Sequence, residues 1–300
     1  TASDNEIISR CVNKLVKAGG KRLRPIFLIL AGKSGEFKAN KNRLYKIAAA
    51  VEILHMATLV HDDIIDKAEL RRNEITVQNQ FGKNVAVFVG DFLYNRAYKL
   101  FSKNLSSESL IRLNHTERLI CEGEVRQYQN RYNQNITVYK YLRRIRHKTA
   151  ILFANCTYIG GYESKITGIP LYNLYNIGLN FGMAFQIQDF IIDYIGTQNI
   201  GKNIGKDLKA GVITLPLIYL INESKYSKEI IELLRKNKLS QKDINKIQDM
   251  IEKSQTIPKS IELYRKFSYK AFNKVKLLPD SFNKQELKII LKWQLKRNLR

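Results

Sequence analysis

Apolar residues recur three and four positions apart through most of this chain, as in Ile47-Ala48-Ala50-Val51-Leu54 and Ile230-Ile231-Leu233-Leu234. That period puts them on one face of a helix. It predicts a first helix over 4–17, broken by Gly19-Gly20, and a second starting near Pro25 at about its first position. A long helix follows over 42–66, then a polar, loop-like stretch over 67–84. Further helices are predicted over 85–101 and 107–132, with a turn at 133–135, and over 139–160 and 171–194. Residues 196–212 hold four glycines and several lysines and predict a mobile loop. The core resumes over 212–220, and lysine-rich amphipathic helices fill 224–300, with Trp293 near their end. Five prolines and sixteen glycines are few for a β-rich protein. No repeat and no Pro/Ser-rich linker divides the chain, so one all-α domain over 1–300 is expected.

Two acidic stretches interrupt this apolar pattern. The first reads His61-Asp62-Asp63-Ile64-Ile65-Asp66, and the second reads Gln186-Ile187-Gln188-Asp189-Phe190-Ile191-Ile192-Asp193. A carboxylate in such surroundings is costly unless it is paired or binds a cation. Each stretch repeats Asp at i and i+4, which places two carboxylates on one helix face, a turn apart. Both lie near the predicted C-terminal ends of long helices, where acids oppose the macrodipole, and that favours a functional reading. Two such faces turned toward each other would form a cage of carboxylates suited to Mg²⁺, which keeps positions for water and substrate phosphates.

Charge sharpens the picture. The 51 Lys and Arg against 27 acids give a net charge of +24. An anionic partner follows: diphosphates, acidic lipid headgroups or nucleic acid. The competing reading is lysine spread over solvated faces. No compact basic block with interleaved aromatics stands out, which argues against nucleic acid. Gly19-Gly20-Lys21-Arg22-Leu23-Arg24-Pro25 sets three cations beside a flexible helix start, a suitable place for phosphate. Arg71-Arg72 follow the first acidic stretch. Lys148-Thr149 follow Arg143, Arg144, Arg146 and His147 on one helix, most of which reads as a wet basic face. His55 precedes Asp62 by seven residues and shares its face.

Cys11, Cys121 and Cys156 are odd in number and lack metal spacing, so they read as thiols in a reducing compartment. No apolar run reaches the roughly 18 residues that span a bilayer, and no signal peptide is visible. A start at Thr1 leaves room for a preceding segment.

Taken together, Gly-Gly-Lys-Arg-Leu-Arg-Pro (19–25), His55 through Arg72, Gly90-Asp91, Arg146-His147-Lys148-Thr149, Phe185 through Tyr194 and Gly211-Val212-Ile213-Thr214-Leu215-Pro216 resemble the trans-polyprenyl diphosphate synthases, in family order and spacing. The run 141–149 further resembles the catalytic component of bacterial heptaprenyl diphosphate synthases. The resemblance extends from about residue 10 to the C-terminus. It implies the isoprenoid synthase fold, a helical bundle around a deep apolar cavity. It also implies a catalytic set of Asp62, Asp63, Asp66, Lys148, Asp189 and Asp193. In that family's pattern Asp62, Asp66 and Asp189 bind Mg²⁺, three ions with substrate present. Arg71, Lys148 and Lys202 grip the allylic diphosphate, with Thr149 and Gln186 nearby. Lys21, Arg24, His55 and Arg72 hold isopentenyl diphosphate.

The resemblance further implies a cytoplasmic enzyme with peripheral contact at the inner membrane surface. It would be a homodimer, or a heterodimer with a small regulatory component. A small residue at Ala57, beside Thr58 and above Leu54 and Val51, implies an open tunnel and a hexaprenyl to heptaprenyl product. Phe88, Phe92 and Tyr98 are candidates for its floor. Two positions depart from the family pattern. Phe190 stands where Asp is usual, and Val212 where a polar residue is common. Because 189 and 193 share a face that 190 does not, Phe190→Asp is expected to have a mild effect on activity or to raise it. Other readings stay open here. They are a shorter-chain farnesyl or geranylgeranyl synthase, a subunit active only with its partner, and a terpene cyclase. A cyclase would not need the second diphosphate site.

Overall fold

The computed structural model describes residues 3–195, 206–223, 225–236 and 239–296. These are helical apart from one two-stranded antiparallel ribbon. The contacts group the chain into two compact units, 1–112 with 156–167 and 113–155 with 168–300.

The first unit contains α1 (Glu6–Lys17), α2 (Leu23–Gly32), α3 (Phe37–Ile65), β1 (Leu70–Arg71), β2 (Glu74–Ile75), α4 (Val77–Phe81) and α5 (Lys83–Asn104). The start of α6 (Ser107–Gln129) and the later part of α8 (Ile151–Tyr162) also belong to it. Asn5 caps α1 by accepting a hydrogen bond from the Ile8 amide at 3.2 Å. Pro25 is the third residue of α2, not the first, because Arg22 adopts a left-handed conformation (φ 47°) and starts the helix earlier. The polar stretch after α3 is more ordered than its composition suggests. Arg72 and Asn73 both have positive φ (54° and 64°), and that turn pairs Leu70 with Ile75. Thr76 then caps α4.

Cys11, Val12, Ala57, Val60, Val77, Ala86, Val89 and Leu93 form one apolar cluster of α1, α3, α4 and α5. Helix α5 can approach α3 because Gly90 faces the His61 ring, where any Cβ would collide. On the far side of the unit, the buried Glu163 accepts from Arg43 at 2.7 Å and from the Ser106 hydroxyl at 2.7 Å. Helix α3 has the length and mean hydropathy of a bilayer-spanning segment. Its buried stripe, from Leu44 to Val60, nonetheless packs against α2 and α5, and its end carries the first acidic stretch.

The second unit is built on α9 (Gly168–Ile195), which packs along α14 (Thr256–Lys276). Around them lie most of α6, α7 (Val138–Ile145), the start of α8, α10 (Lys206–Lys209), α11 (Leu215–Glu223), α12 (Ser227–Leu234), α13 (Gln241–Glu252) and α15 (Lys284–Lys296). The core includes Tyr141, Ile145, Ile187, Phe190, Ile191, Leu215, Leu217 and Ile247. The single helix expected over 139–160 is interrupted: residues Arg146–Ala150 form one π turn between α7 and α8. Such insertions are rare and concentrate at functional sites.

Candidate active site

In the first unit the acidic stretch closes α3. Asp62 is half-buried, and Asp66, the C-cap, is exposed. The Asp66 amide donates to the Asp62 carbonyl at 2.8 Å, so the two lie one turn apart, as the spacing requires. Asp63 is used differently. It is 4% exposed and accepts from Arg71 Nε at 2.7 Å. Its carbonyl accepts from Gln78 Nε2 and from the Ala68 amide, each at 2.9 Å. Asp63 therefore ties the ribbon to the helix end, and it occupies Arg71, which the sequence pattern assigns to a diphosphate.

Two turns before Asp62 on the same helix, His55 Nε2 lies 3.0 Å from Nη1 of Arg24 on α2. A guanidinium only donates, so Nε2 is the acceptor and the ring proton is assigned to Nδ1. Burial first, and then Arg24, Arg72 and Arg71, hold the His55 pKa well below the ordinary 6.5. Arg72 lies across Gly20, where a Cβ would meet its Nη1 at 2.6 Å and where φ is +153°. A side chain at 20 would displace this guanidinium. Arg24, His55 and Arg72 thus gather as the pattern requires, while Lys21 is exposed at the turn.

Sequence reasoning missed Glu52 in this group. Its carboxyl is half-buried. Burial raises its pKa, against the lowering pull of Arg24, Arg22 and Arg72. A lone acid in Ala48-Ala49-Ala50-Val51, three residues before His55, was the available signal. A cavity of about 320 Å³ opens here, lined by Arg22, Arg71, Arg72 and Glu52 together with apolar residues such as Ile53, Met56 and Leu59.

In the second unit Asp189 and Asp193 are half-buried near the end of α9. Phe190 points into the core. It is 7% exposed and its ring lies 6.1 Å from that of Tyr141. Residue 190 thus lies off the face that 189 and 193 share, and an Asp in its place would carry a cost in stability. A carboxylate there would be buried among apolar groups.

Thr149 Oγ1 donates to Gln186 Oε1 at 2.5 Å. Lys148 Nζ reaches both carboxylate oxygens of Glu124, each at 2.8 Å. Val212 is buried, and its amide donates to the Asp207 carbonyl at 2.8 Å. Next to it, Gly211 (φ 74°) leaves room for the Tyr132 ring. Lys202 and most of the predicted 196–212 loop lie outside the described residues. Of the tunnel candidates, Ala57 is fully buried, Phe92 and Tyr98 are half-buried, and Phe88 is 66% exposed.

Among the described residues, no three or more His, Cys, Asp or Glu side chains close a metal cage by themselves. The donor set nevertheless fits Mg²⁺. That ion dehydrates reluctantly and takes one or two carboxylates plus substrate phosphates rather than an all-protein cage. Solvent-accessible carboxylates in i,i+4 pairs match that habit.

Known proteins agree with the architecture. The Polyprenyl synthetase family profile matches residues 5–251. Heptaprenyl diphosphate synthase component 2 of Bacillus subtilis is 33% identical over 98% of this chain and 84% of its own length. Octaprenyl diphosphate synthase of Haemophilus influenzae is 31% identical over 95% and 87%. The crystal structure of heptaprenyl diphosphate synthase from Staphylococcus aureus superposes with a TM-score of 0.94 at 32% identity, covering 99% of this chain and 93% of that one. A polyprenyl synthase from Caulobacter crescentus, complexed with calcium and isoprenyl diphosphate, gives 0.90 at 32% identity, covering 99% and 90%. The fold is the all-α isoprenoid synthase fold, and the chain belongs to the polyprenyl synthetase family.

Proposed function

We propose that this chain is a Mg²⁺-dependent trans-prenyltransferase. It adds isopentenyl diphosphate to an allylic diphosphate and makes a long all-trans polyprenyl diphosphate, of hexaprenyl to heptaprenyl length. The observation that carries the reading is the pair of i,i+4 aspartates closing each of two long helices in a chain of this family. The names of the heptaprenyl and octaprenyl relatives support the long product. The calcium and isoprenyl diphosphate in the Caulobacter crescentus structure support a metal–diphosphate site.

In this reading Asp62, Asp66 and Asp189 hold the metal, three ions with substrate bound, and Asp193 supports Asp189. When bound, Mg²⁺ acts as a Lewis acid that neutralises the departing diphosphate. Lys148 and Lys202 stabilise the charge that develops on that leaving group. Thr149 and Gln186 hold its surroundings in place. Lys21, Arg24 and Arg72 bind the isopentenyl diphosphate, and neutral His55 keeps the Arg24 guanidinium aimed. Asp63 is a positioning residue, since it anchors Arg71. Apolar walls exclude water from the allylic cation until the isopentenyl double bond attacks it. A proton then leaves, with the released diphosphate as acceptor. Ala57 leaves the growing chain room to extend.

The relative's designation as component 2 supports a heterodimer with a small partner component, with a homodimer as the alternative. The enzyme works in the cytoplasm, and a long apolar product gives it reason to touch the inner membrane surface.

The test is incubation of the purified chain with Mg²⁺, farnesyl diphosphate and labelled isopentenyl diphosphate, with chain-length analysis after dephosphorylation. The reading expects six or seven isoprene units and no incorporation with a chelator. Product stopping at geranylgeranyl would overturn the length. Incorporation unaffected by chelator would overturn the metal.

A further inference from the structure

The π turn at Arg146–Ala150 is held from two sides by glycines. On α6, Gly123 faces it so closely that a Cβ there would lie 3.1 Å from His147 Cβ and 3.8 Å from the Lys148 amide nitrogen. On α9, Gly182 faces Ala150, whose Cα would lie 2.5 Å from an added Cβ. A larger residue at 182 would collide with the Ala150 backbone, and one at 123 would crowd His147.

The next residue on α6 after Gly123 is Glu124. It reaches Lys148 with both oxygens at 2.8 Å, and the two side chains are 29% and 27% exposed. The lysine needs such a counter-charge. Arg143 and Arg144 close α7, Arg146 shares its π turn and Arg126 lies on α6, so cations flank it along the chain. The neighbouring acid, Glu122, is already committed to Arg118 at 2.5 Å and Arg126 at 3.0 Å. Glu124 is therefore the carboxylate that sets where this ammonium sits.

We infer that Glu124 is a positioning residue for Lys148, held in reach by Gly123 and the π turn. This inference rests on the reading of Lys148 as a grip on the allylic diphosphate. Before substrate binds, the carboxylate holds an otherwise flexible four-carbon side chain in one place, so less rotamer freedom is lost on binding. A diphosphate carries more charge than a carboxylate and takes over some of the ammonium's hydrogen bonds. Glu124 keeps the remaining one, and the nitrogen stays aimed at the leaving group. In this role Glu124 touches no substrate. Its removal should misplace Lys148 in the transition state without weakening ground-state capture, because the competing anion goes as well.

The test is a double-mutant cycle on the full chain with Glu124→Gln, Lys148→Ala and the pair. Steady-state kinetics would use farnesyl and isopentenyl diphosphates with Mg²⁺. Circular dichroism and the thermal midpoint would confirm that each variant is folded. We expect Glu124→Gln to lower kcat by about ten- to a hundredfold, the range set by a misplaced catalytic group. It should not raise the KM for farnesyl diphosphate, and the KM for isopentenyl diphosphate should stay put. Lys148→Ala should lower kcat and raise the allylic KM. Adding Glu124→Gln to it should cost nothing more, because a residue that acts only through its partner has no further effect once the partner is gone.

Full additivity of the two losses, or wild-type kinetics for Glu124→Gln, would overturn the positioning role while leaving Lys148 in place. Wild-type kinetics for Lys148→Ala would instead overturn the reading of Lys148, and this inference with it. Glu124→Asp gives a second variant. It keeps the charge but is one methylene short, so it should fall between wild type and Glu124→Gln in kcat.

Discussion

The ends of α3 and α9 carry the same spacing of aspartates and use the residue between them in opposite ways. On α3 the intervening Asp63 is buried and ion-paired to Arg71, and through it the β1–β2 ribbon is pinned to the helix end. On α9 the intervening Phe190 is buried against Tyr141 and pins the helix end through apolar packing. In both, the aspartates a turn apart remain only half-buried or exposed. The stripe proposed to face the metal and the anchoring stripe are thus separate faces of one helix. The anchoring face can change its chemistry from charge to hydrocarbon while the other face stays the same.

The largest effect should come from the shared face. In the proposed reading Asp62→Ala, Asp66→Ala and Asp189→Ala should each lower turnover by orders of magnitude in a chain that still folds, because each removes a carboxylate assigned to the metal. A near-wild-type Asp189→Ala would separate α9 from the chemistry.

The anchoring faces should respond in stability instead. Phe190→Asp buries a charge and leaves a void, so it should cost about 3–5 kcal/mol in chemical denaturation. Asp63→Asn keeps the shape and loses the charged hydrogen bond to Arg71, so it should cost about 1–3 kcal/mol. If Asp63→Asn proved the more costly, the ribbon would matter more to the fold than the α9 packing does.

Ala57→Phe enlarges a fully buried position on the same helix as Asp62. It should shorten the product to farnesyl or geranylgeranyl length, leave the first condensation intact and cost about 1–3 kcal/mol by overpacking. An unchanged product length in the folded variant would remove Ala57 from the tunnel.

The smallest effect is one of pH. The folded His55 takes up a proton only well below its ordinary 6.5, whereas the unfolded chain takes one up near that value. Neutral His55 therefore contributes stability above pH 6.5, and that contribution fades as pH falls toward its depressed value. The slope should be at most about 1.4 kcal/mol per pH unit. His55→Gln, which keeps an acceptor for Arg24, should flatten the fall of the thermal midpoint below pH 6.5. An identical slope would show that other groups set the acid response.

Both acidic helix ends were legible in the sequence, because a carboxylate inside an apolar run demands a reason. The Arg24, His55 and Arg72 grouping was legible as well, through motif order and helical face. The ribbon was not, since its strands are two residues each and its turn, at Arg72-Asn73, lacks glycine. The π turn left no trace, because one extra residue in a helix barely disturbs the apolar period over 138–162. Glu124 and Glu52 were overlooked for a related reason. Each is an acid with no periodic or motif cue of its own, and only the fold shows which cations reach it. Gly123 and Gly182 looked like ordinary helix glycines until their facing backbones were in view.

The central claim is that aspartates at both helix ends are needed for metal-dependent handling of an allylic diphosphate. Calorimetric titration of farnesyl diphosphate, with and without Mg²⁺, tests it on the wild-type chain, Asp62→Ala and Asp189→Ala. Mg²⁺ should tighten binding to the wild-type chain by about tenfold or more, equivalent to roughly 1.4 kcal/mol. Each variant should lose most of that gain. A full Mg²⁺ gain retained by either folded variant would contradict the claim.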